Sequence, residues 1–145
     1  MLSKHHKNIA TFIHLSTLSR FIIPFGSFIG PLILWWCNKE KSTFIDAHGK
    51  YAINFQISIF IYTIILGMLA IPLTFFNIFK GFNTIHFNDY NITLDQLTPL
   101  LIVLGSLGVL IIIGFLLEIA FIIKASLKAK NGVLYQYPLT IHFIK

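Results

Sequence analysis

The chain is poor in charge and in cysteine. Only 11 Lys and Arg and 5 Asp and Glu occur in 145 residues, too few to solvate a water-soluble domain, in which about a quarter of residues are ordinarily charged. The single cysteine, Cys37, excludes an internal disulfide and any CxxC metal or redox pair. Catalytic signatures are missing too. There is no HExxH, no GxSxG, no phosphate-binding loop and no pair of carboxylates within an apolar run. The histidines, at positions 5, 6, 14, 48, 86 and 142, lack metal-ligand spacing. The expectation is a protein that is not an enzyme, with no catalytic residue, no metal and no cofactor.

What is present is apolar. Hydrophobic residues make up 56% of the chain and the mean hydropathy is +0.79, which places it in the lipid bilayer. The formal charge of +6 comes from basic residues at the ends of apolar runs. They form no patch with interleaved aromatics, so nucleic acid is not an expected partner. The length fits one compact helical unit, residues 1–145, with other membrane proteins or a homo-oligomer as expected partners. Lys4 and Lys7 precede an apolar run as in a signal peptide, but His14 and Arg20 interrupt it and no small-residue cleavage site follows. No cleavage is expected.

Residues 8–23 put Ile9, Phe12, Ile13, Leu15, Leu18, Phe21 and Ile22 mostly on one side of a helix and His14, Thr17, Ser19 and Arg20 on or near the other. Pro24 and Gly26 break this helix, and Gly30-Pro31 interrupts again before PLILWWC. A single helix over 8–37 would be about 45 Å long, against a hydrocarbon core of about 30 Å. The better fit is an N-terminal re-entrant or short helical hairpin, in which Gly26 and Gly30 form a GxxxG suited to close packing. A long transmembrane helix is expected over about 44–79, with Asp46 in its first turn and Gly67 and Pro72 marking a kink. An interfacial loop follows over about 80–93, then a capping box at Thr93 to Gln96 that starts a second long transmembrane helix, about 94–130. Residues 131–145 read as an extended tail. The fold class is an all-α integral membrane protein.

Loop charge sets the orientation. Lys39, Lys41 and Lys50, and then Lys124, Lys128, Lys130 and Lys145, outweigh the lone Lys80 of the 80–98 loop. Both termini are therefore expected on the cytoplasmic side of a bacterial cytoplasmic membrane.

Three stretches in order, HLSTLSRFIIPFGSFIGPLILWW, DAHGKYAINFQISIFIY and YQYPLTIHFIK, resemble the bacterial membrane family grouped with the magnetosome proteins MamF and MmsF. That family is distantly similar to the Tic-twenty component of the chloroplast import apparatus. The resemblance implies a membrane protein without an assigned reaction, affecting mineral particles in one branch and belonging to a protein translocon in the other.

Glu118 is the acid that lies inside an apolar run, six residues before Lys124, and an ionisable group at membrane depth is a candidate site by default. Counting inward from Lys50 reaches Asn54 to Ser58 at the same depth, so Glu118 is expected to face Asn54, Gln56 or Ser58, or to pair with Arg20. Asp46, Lys50, Asn54, Ser58 and Tyr62 step along the helix at i, i+4. The candidate intramembrane polar cluster is Arg20, Asn54, Gln56, Ser58, Tyr62 and Glu118. Asp46, His48 and Lys50 form a candidate cytoplasmic mouth suited to an anionic lipid headgroup. Two functions fit: a scaffold or accessory subunit of a membrane complex, translocon-component-like, or a small channel or transporter using the Glu118/Asn54 cluster.

Overall fold

The computed structural model describes residues 3–84 and 94–145, with side chains at 3–79 and 98–145. Among these residues every regular element is helical. Helix α1 is Lys4–Leu15. Its N-cap, Ser3, accepts a hydrogen bond from the His6 backbone N–H at 3.2 Å, which satisfies one of the first-turn donors that a helix leaves open. A 3-10 helix, Ser16–Phe21, continues from it. Its hydroxyls bond back to the chain: Ser16 to the Ile13 carbonyl, Thr17 to that of His14 and Ser19 to that of Ser16, each at 2.7 Å.

After a turn in which Phe25 takes φ 60, α2 runs Gly26–Trp36. The GxxxG has a definite neighbour. A Cβ at Gly26 would collide with the Ser19 carbonyl, and one at Gly30 with the Ser16 carbonyl, so these glycines let α2 lie directly on the 3-10 backbone. The second interruption expected at Gly30-Pro31 does not occur, since Pro31 lies inside α2. One missing N–H near a helix start removes a single bond, which the close packing through Gly26 and Gly30 offsets.

A short 3-10 helix, Lys39–Lys41, leads into α3, Thr43–Thr84, and α4 is Leu94–Lys130. Helix α3 passes the expected end near Phe79. Nothing in KGFNT is a proline, and each added residue of a formed helix gains a bond. The expected capping residue Thr93 and most of the 80–93 loop lie outside the described residues. Helix α4 ends at a left-handed Gly132 with φ 78, and the Val133 N–H returns to the Lys128 carbonyl at 3.0 Å. Residues 133–145 carry no regular element.

Helices α3 and α4 each contribute to two compact units. The first comprises residues 1–61 and 117–145 and the second residues 62–116. The first unit has a core: Ile13, Trp35, Ile45, Ala52 and Ile53 form one cluster, Phe55, Ile122, Ala125 and Tyr137 another, and Ala10, Phe44 and Ala129 a third. In the second unit no described side chain is buried.

The apolar windows of Thr43–Phe79 and Thr98–Lys130 are long enough to cross a membrane, with mean hydropathies of 2.3 and 3.0, and neither window is buried in the protein. The core helix of a soluble protein would be buried, and a signal sequence would lie near residue 1. Apolar and uncovered helices of this length need lipid around them.

Candidate functional site: three buried polar sets

Polar side chains gather inside the first unit. In α1 and the 3-10 helix the inward residues are Ala10, Ile13, His14 and Thr17, at helical spacing, while Phe12, Phe21 and Ile22 are exposed. The division into two sides foreseen in the sequence is not kept: Ile13, from its apolar side, is buried together with His14 and Thr17 from its polar side. Polar groups turn inward when the surroundings are apolar, because they then find partners only within the protein.

The first set contains Arg20, Gln56 and Glu118. Arg20 donates from Nη1 to Glu118 Oε2 at 2.8 Å and from Nη2 to Gln56 Oε1 at 2.9 Å, and its Nη2 lies 2.7 Å from Glu118 Oε1. Gln56 Nε2 donates to that same oxygen at 3.3 Å. Glu118 thus meets Arg20 and Gln56, not Asn54 or Ser58. Both its oxygens face donors, as a buried carboxylate requires.

The second set is Asn54 and Ser58, both fully buried. Asn54 Oδ1 accepts from the backbone N–H of Phe143 at 3.2 Å and of Ile144 at 2.9 Å, while its Nδ2 donates to the Ile144 carbonyl at 2.9 Å. Ser58 Oγ accepts the Ile141 N–H at 2.9 Å and donates to the Asn54 carbonyl at 2.7 Å. The i, i+4 stripe therefore holds the segment that follows α4. Tyr62, the next step of that stripe, is 42% exposed and belongs to the second unit.

The third set joins residues that look scattered in sequence. Tyr137 Oη lies 2.8 Å from His14 Nδ1, and His14 Nε2 lies 2.8 Å from His48 Nδ1. Tyr137 also stacks on Phe55, with centroids 4.0 Å apart and planes at 10°. Burial holds the His14 imidazole far below its usual range, to about 3, and the adjacent His48 opposes a charge there further. Burial likewise pushes the Tyr137 phenol well up. His14 and Tyr137 are therefore neutral near pH 7.

Neutrality fixes the polarity of this set. If Tyr137 donates to His14 and His14 to His48, one group, the His48 Nε2–H, lacks a partner. The opposite direction strands both the Tyr137 hydroxyl and His48 Nε2. His48 Nε2 is buried and unpartnered among the described residues, and the first arrangement leaves fewer unsatisfied groups.

The expected mouth residues separate. His48 is buried in the third set, whereas Lys50 Nζ pairs with Asp46 Oδ2 at 2.6 Å on the outer side. Asp46 Oδ1 also accepts from Trp35 Nε1 at 2.8 Å, and Gly49 leaves the room that the Trp35 ring fills. Lys39 Nζ lies 4.0 Å from the Trp36 ring centroid, a cation over an aromatic face beside the apolar α2.

Among the described residues no group of three His, Cys, Asp or Glu is placed to hold a metal ion. What the three sets do chemically is pair one another and fasten the chain. Residues 5–144 match the family described as the magnetosome magnetite crystal formation protein family, MamF/MmsF.

The chain belongs to this family.

Taken with the two uncovered apolar helices, membership makes this MamF/MmsF chain a membrane protein. No curated protein and no solved structure matches it. His14 and Tyr137 are the two MamF/MmsF residues that the sequence reading does not select. His14 was discoverable from its place among Ala10, Ile13 and Thr17, but nothing in the linear chain connects positions 14 and 137.

Proposed function

We propose that the protein is a non-enzymatic membrane component that assembles with or scaffolds other proteins, in the manner of an accessory subunit of a translocon. The observation that carries this reading is the closure of the polar sets: Arg20, Gln56 and Glu118 satisfy one another, and Asn54 and Ser58 are taken up by backbone of the same chain. A conduit needs polar side chains left for a passing solute. A scaffold needs apolar surface for a partner, and Met68, Leu69, Ile71, Phe75 and Ile102 are all at least 65% exposed. The translocon-like form of the reading rests on the resemblance to the Tic-twenty component alone. In this reading α1 and α2 form a re-entrant pair with both termini cytoplasmic, and the lysines at 39, 41, 124, 128 and 130 favour that orientation.

The experiment is crosslinking in cells at native expression level, followed by affinity purification and mass spectrometry. A reproducible set of partner proteins is the expected result. Ion or solute flux in proteoliposomes that Glu118→Gln abolishes would overturn the reading in favour of a channel or transporter.

A further inference from the structure

Helix α2 turns one side to the protein and the other away from it. Ser27, Pro31 and Trp35 are buried, and Gly26 and Gly30 lie on the 3-10 backbone. The opposite side carries Ile29, Leu32, Ile33 and Trp36, spaced i, i+3, i+4 and i+7, and each is between 43% and 65% exposed. In a membrane protein an uncovered apolar row of this kind borders acyl chains. The row ends in positive charge. Lys39 Nζ lies 4.0 Å from the Trp36 ring centroid and 5.4 Å from that of Trp35, so its ammonium rests on uncharged aromatic faces. Lys41 Nζ donates to Asn38 Oδ1 at 2.8 Å, and Asn38 Nδ2 donates to the Leu34 carbonyl of α2 at 2.8 Å. Neutral partners thus hold both lysines against the end of the helix.

No carboxylate pairs with either lysine among the described residues. Asp46 is taken by Lys50 and by Trp35 Nε1, and Glu118 by Arg20. Glu40 is exposed between the two lysines, and two cations against this one anion leave a net charge of +1. That exceeds the roughly half charge of opposite sign at a helix C-terminus. We propose that this end of α2 binds an acidic phospholipid, with the phosphate at Lys39 and Lys41 and an acyl chain along Ile33 and Ile29. Trp36 stands between the two, at the level an aromatic ring takes at a membrane interface. A free anion would use only the lysines, and an uncharged lipid only the apolar row. The site adjoins Asp46 and Lys50 without using them, because they neutralise each other, and His48 is buried.

The inference shares with the scaffold reading only the placement of α2 in the bilayer, and it fails separately from that reading. The two tryptophans of the chain, Trp35 and Trp36, both stand at the site, so bromine on a lipid's acyl chains reports contact by quenching their fluorescence. The full chain is reconstituted into phosphatidylcholine vesicles that hold, as a minor component, brominated phosphatidylglycerol or brominated phosphatidylcholine. A net charge of +1 at the headgroup level favours the acidic lipid about fivefold. The same quenching is therefore expected at about one-fifth of the fraction when the brominated lipid is phosphatidylglycerol. Both lipids are compared within one variant, so a change in intrinsic emission cancels.

Lys39→Gln with Lys41→Gln should bring the two lipids level, with quenching by phosphatidylcholine as in the parent. Lys39→Arg with Lys41→Arg should keep the preference. So should Lys128→Gln with Lys130→Gln, the same loss of charge at the end of α4. Equal quenching by both lipids in the parent would overturn the site while leaving α2 in the bilayer, and quenching by neither would overturn that placement as well. A preference that survives the glutamine pair at 39 and 41, that the arginine pair loses, or that falls as far with the α4 pair would also overturn the site. Displacement by inorganic phosphate beyond that by chloride at equal ionic strength would make the ligand a free anion and overturn it too. Where the glutamine pair alters quenching by phosphatidylcholine, Lys41→Gln alone decides: a weakened preference supports the site and an unchanged one overturns it.

Discussion

The two units of this protein share two helices and differ in almost everything else. Ten of the eleven Lys and Arg lie in the stretches 1–61 and 117–145 that form the first unit, along with Glu118 and, among the described residues, every buried side chain. The second unit is built from the middle of the chain and keeps its apolar side chains on its outside; Gly67, Gly105, Gly108 and Gly114 have only open space where a Cβ would stand. The same helix thus serves two purposes along its length. In its first five turns α3 is a platform on which Asp46, Lys50, Asn54, Gln56 and Ser58 each have a partner. Beyond Ile61 it is a surface that lipid or another protein must cover. Specific pairing costs desolvation and ordering and repays them only where partners are in place, so the specific contacts are concentrated where α1, α2 and the segment after α4 supply those partners.

This contrast predicts unequal sensitivity to substitution. The largest effect is expected at Glu118: replacing it with Leu strands the Arg20 guanidinium and should cost about 3 kcal/mol. That value is at the low end for a buried pair because the Arg20 side chain retains 29% exposure. Replacing Arg20 and Glu118 together with Met and Leu should recover much of the loss, a non-additivity read from a double-mutant cycle of unfolding in mixed micelles. Asn54→Ala leaves two N–H groups and one carbonyl of residues 143 and 144 without their partner, at about 2 kcal/mol. Faster proteolysis after residue 137 than in the parent is the accompanying sign.

Gly49→Ala should cost about 1 to 3 kcal/mol through its collision with Trp35, checked by the unfolding midpoint and by the shift of tryptophan fluorescence. Acidification comes next. His14 is held neutral in the folded chain with its pKa lowered to about 3, whereas unfolded it titrates near 6.5. The unfolded state binds the extra proton, so this contribution is complete above about pH 6.5 and is lost as pH falls from there toward 3. Between pH 7.5 and 5.5 stability should drop by on the order of 1 kcal/mol, and His14→Gln should flatten the dependence. In the second unit Leu110→Ala, at a site 54% exposed, should change stability by less than about 0.5 kcal/mol. A large effect there would break the contrast and point to a partner seated on that face.

Hydropathy and the position of charge were enough to establish from the sequence that the chain is helical, that two runs are long enough to span, and that Arg20, Gln56 and Glu118 are candidates, because polar groups in apolar runs are conspicuous one at a time. Local signals also sufficed for Gly26 and Gly30, whose spacing announces close packing without naming the neighbour. Which polar group meets which is another matter. Asn54 receives residues 143 and 144, 90 positions away, and His14 receives Tyr137, 123 positions away. No periodicity relates such pairs. They are set by how the helices and the following segment come together, since a buried donor or acceptor accepts whatever partner the packing delivers within hydrogen-bond reach. The sequence by itself determined the solvent and the elements. The tertiary structure alone decided that the polar groups would close into three sets, because only packing could bring their distant members within bonding distance.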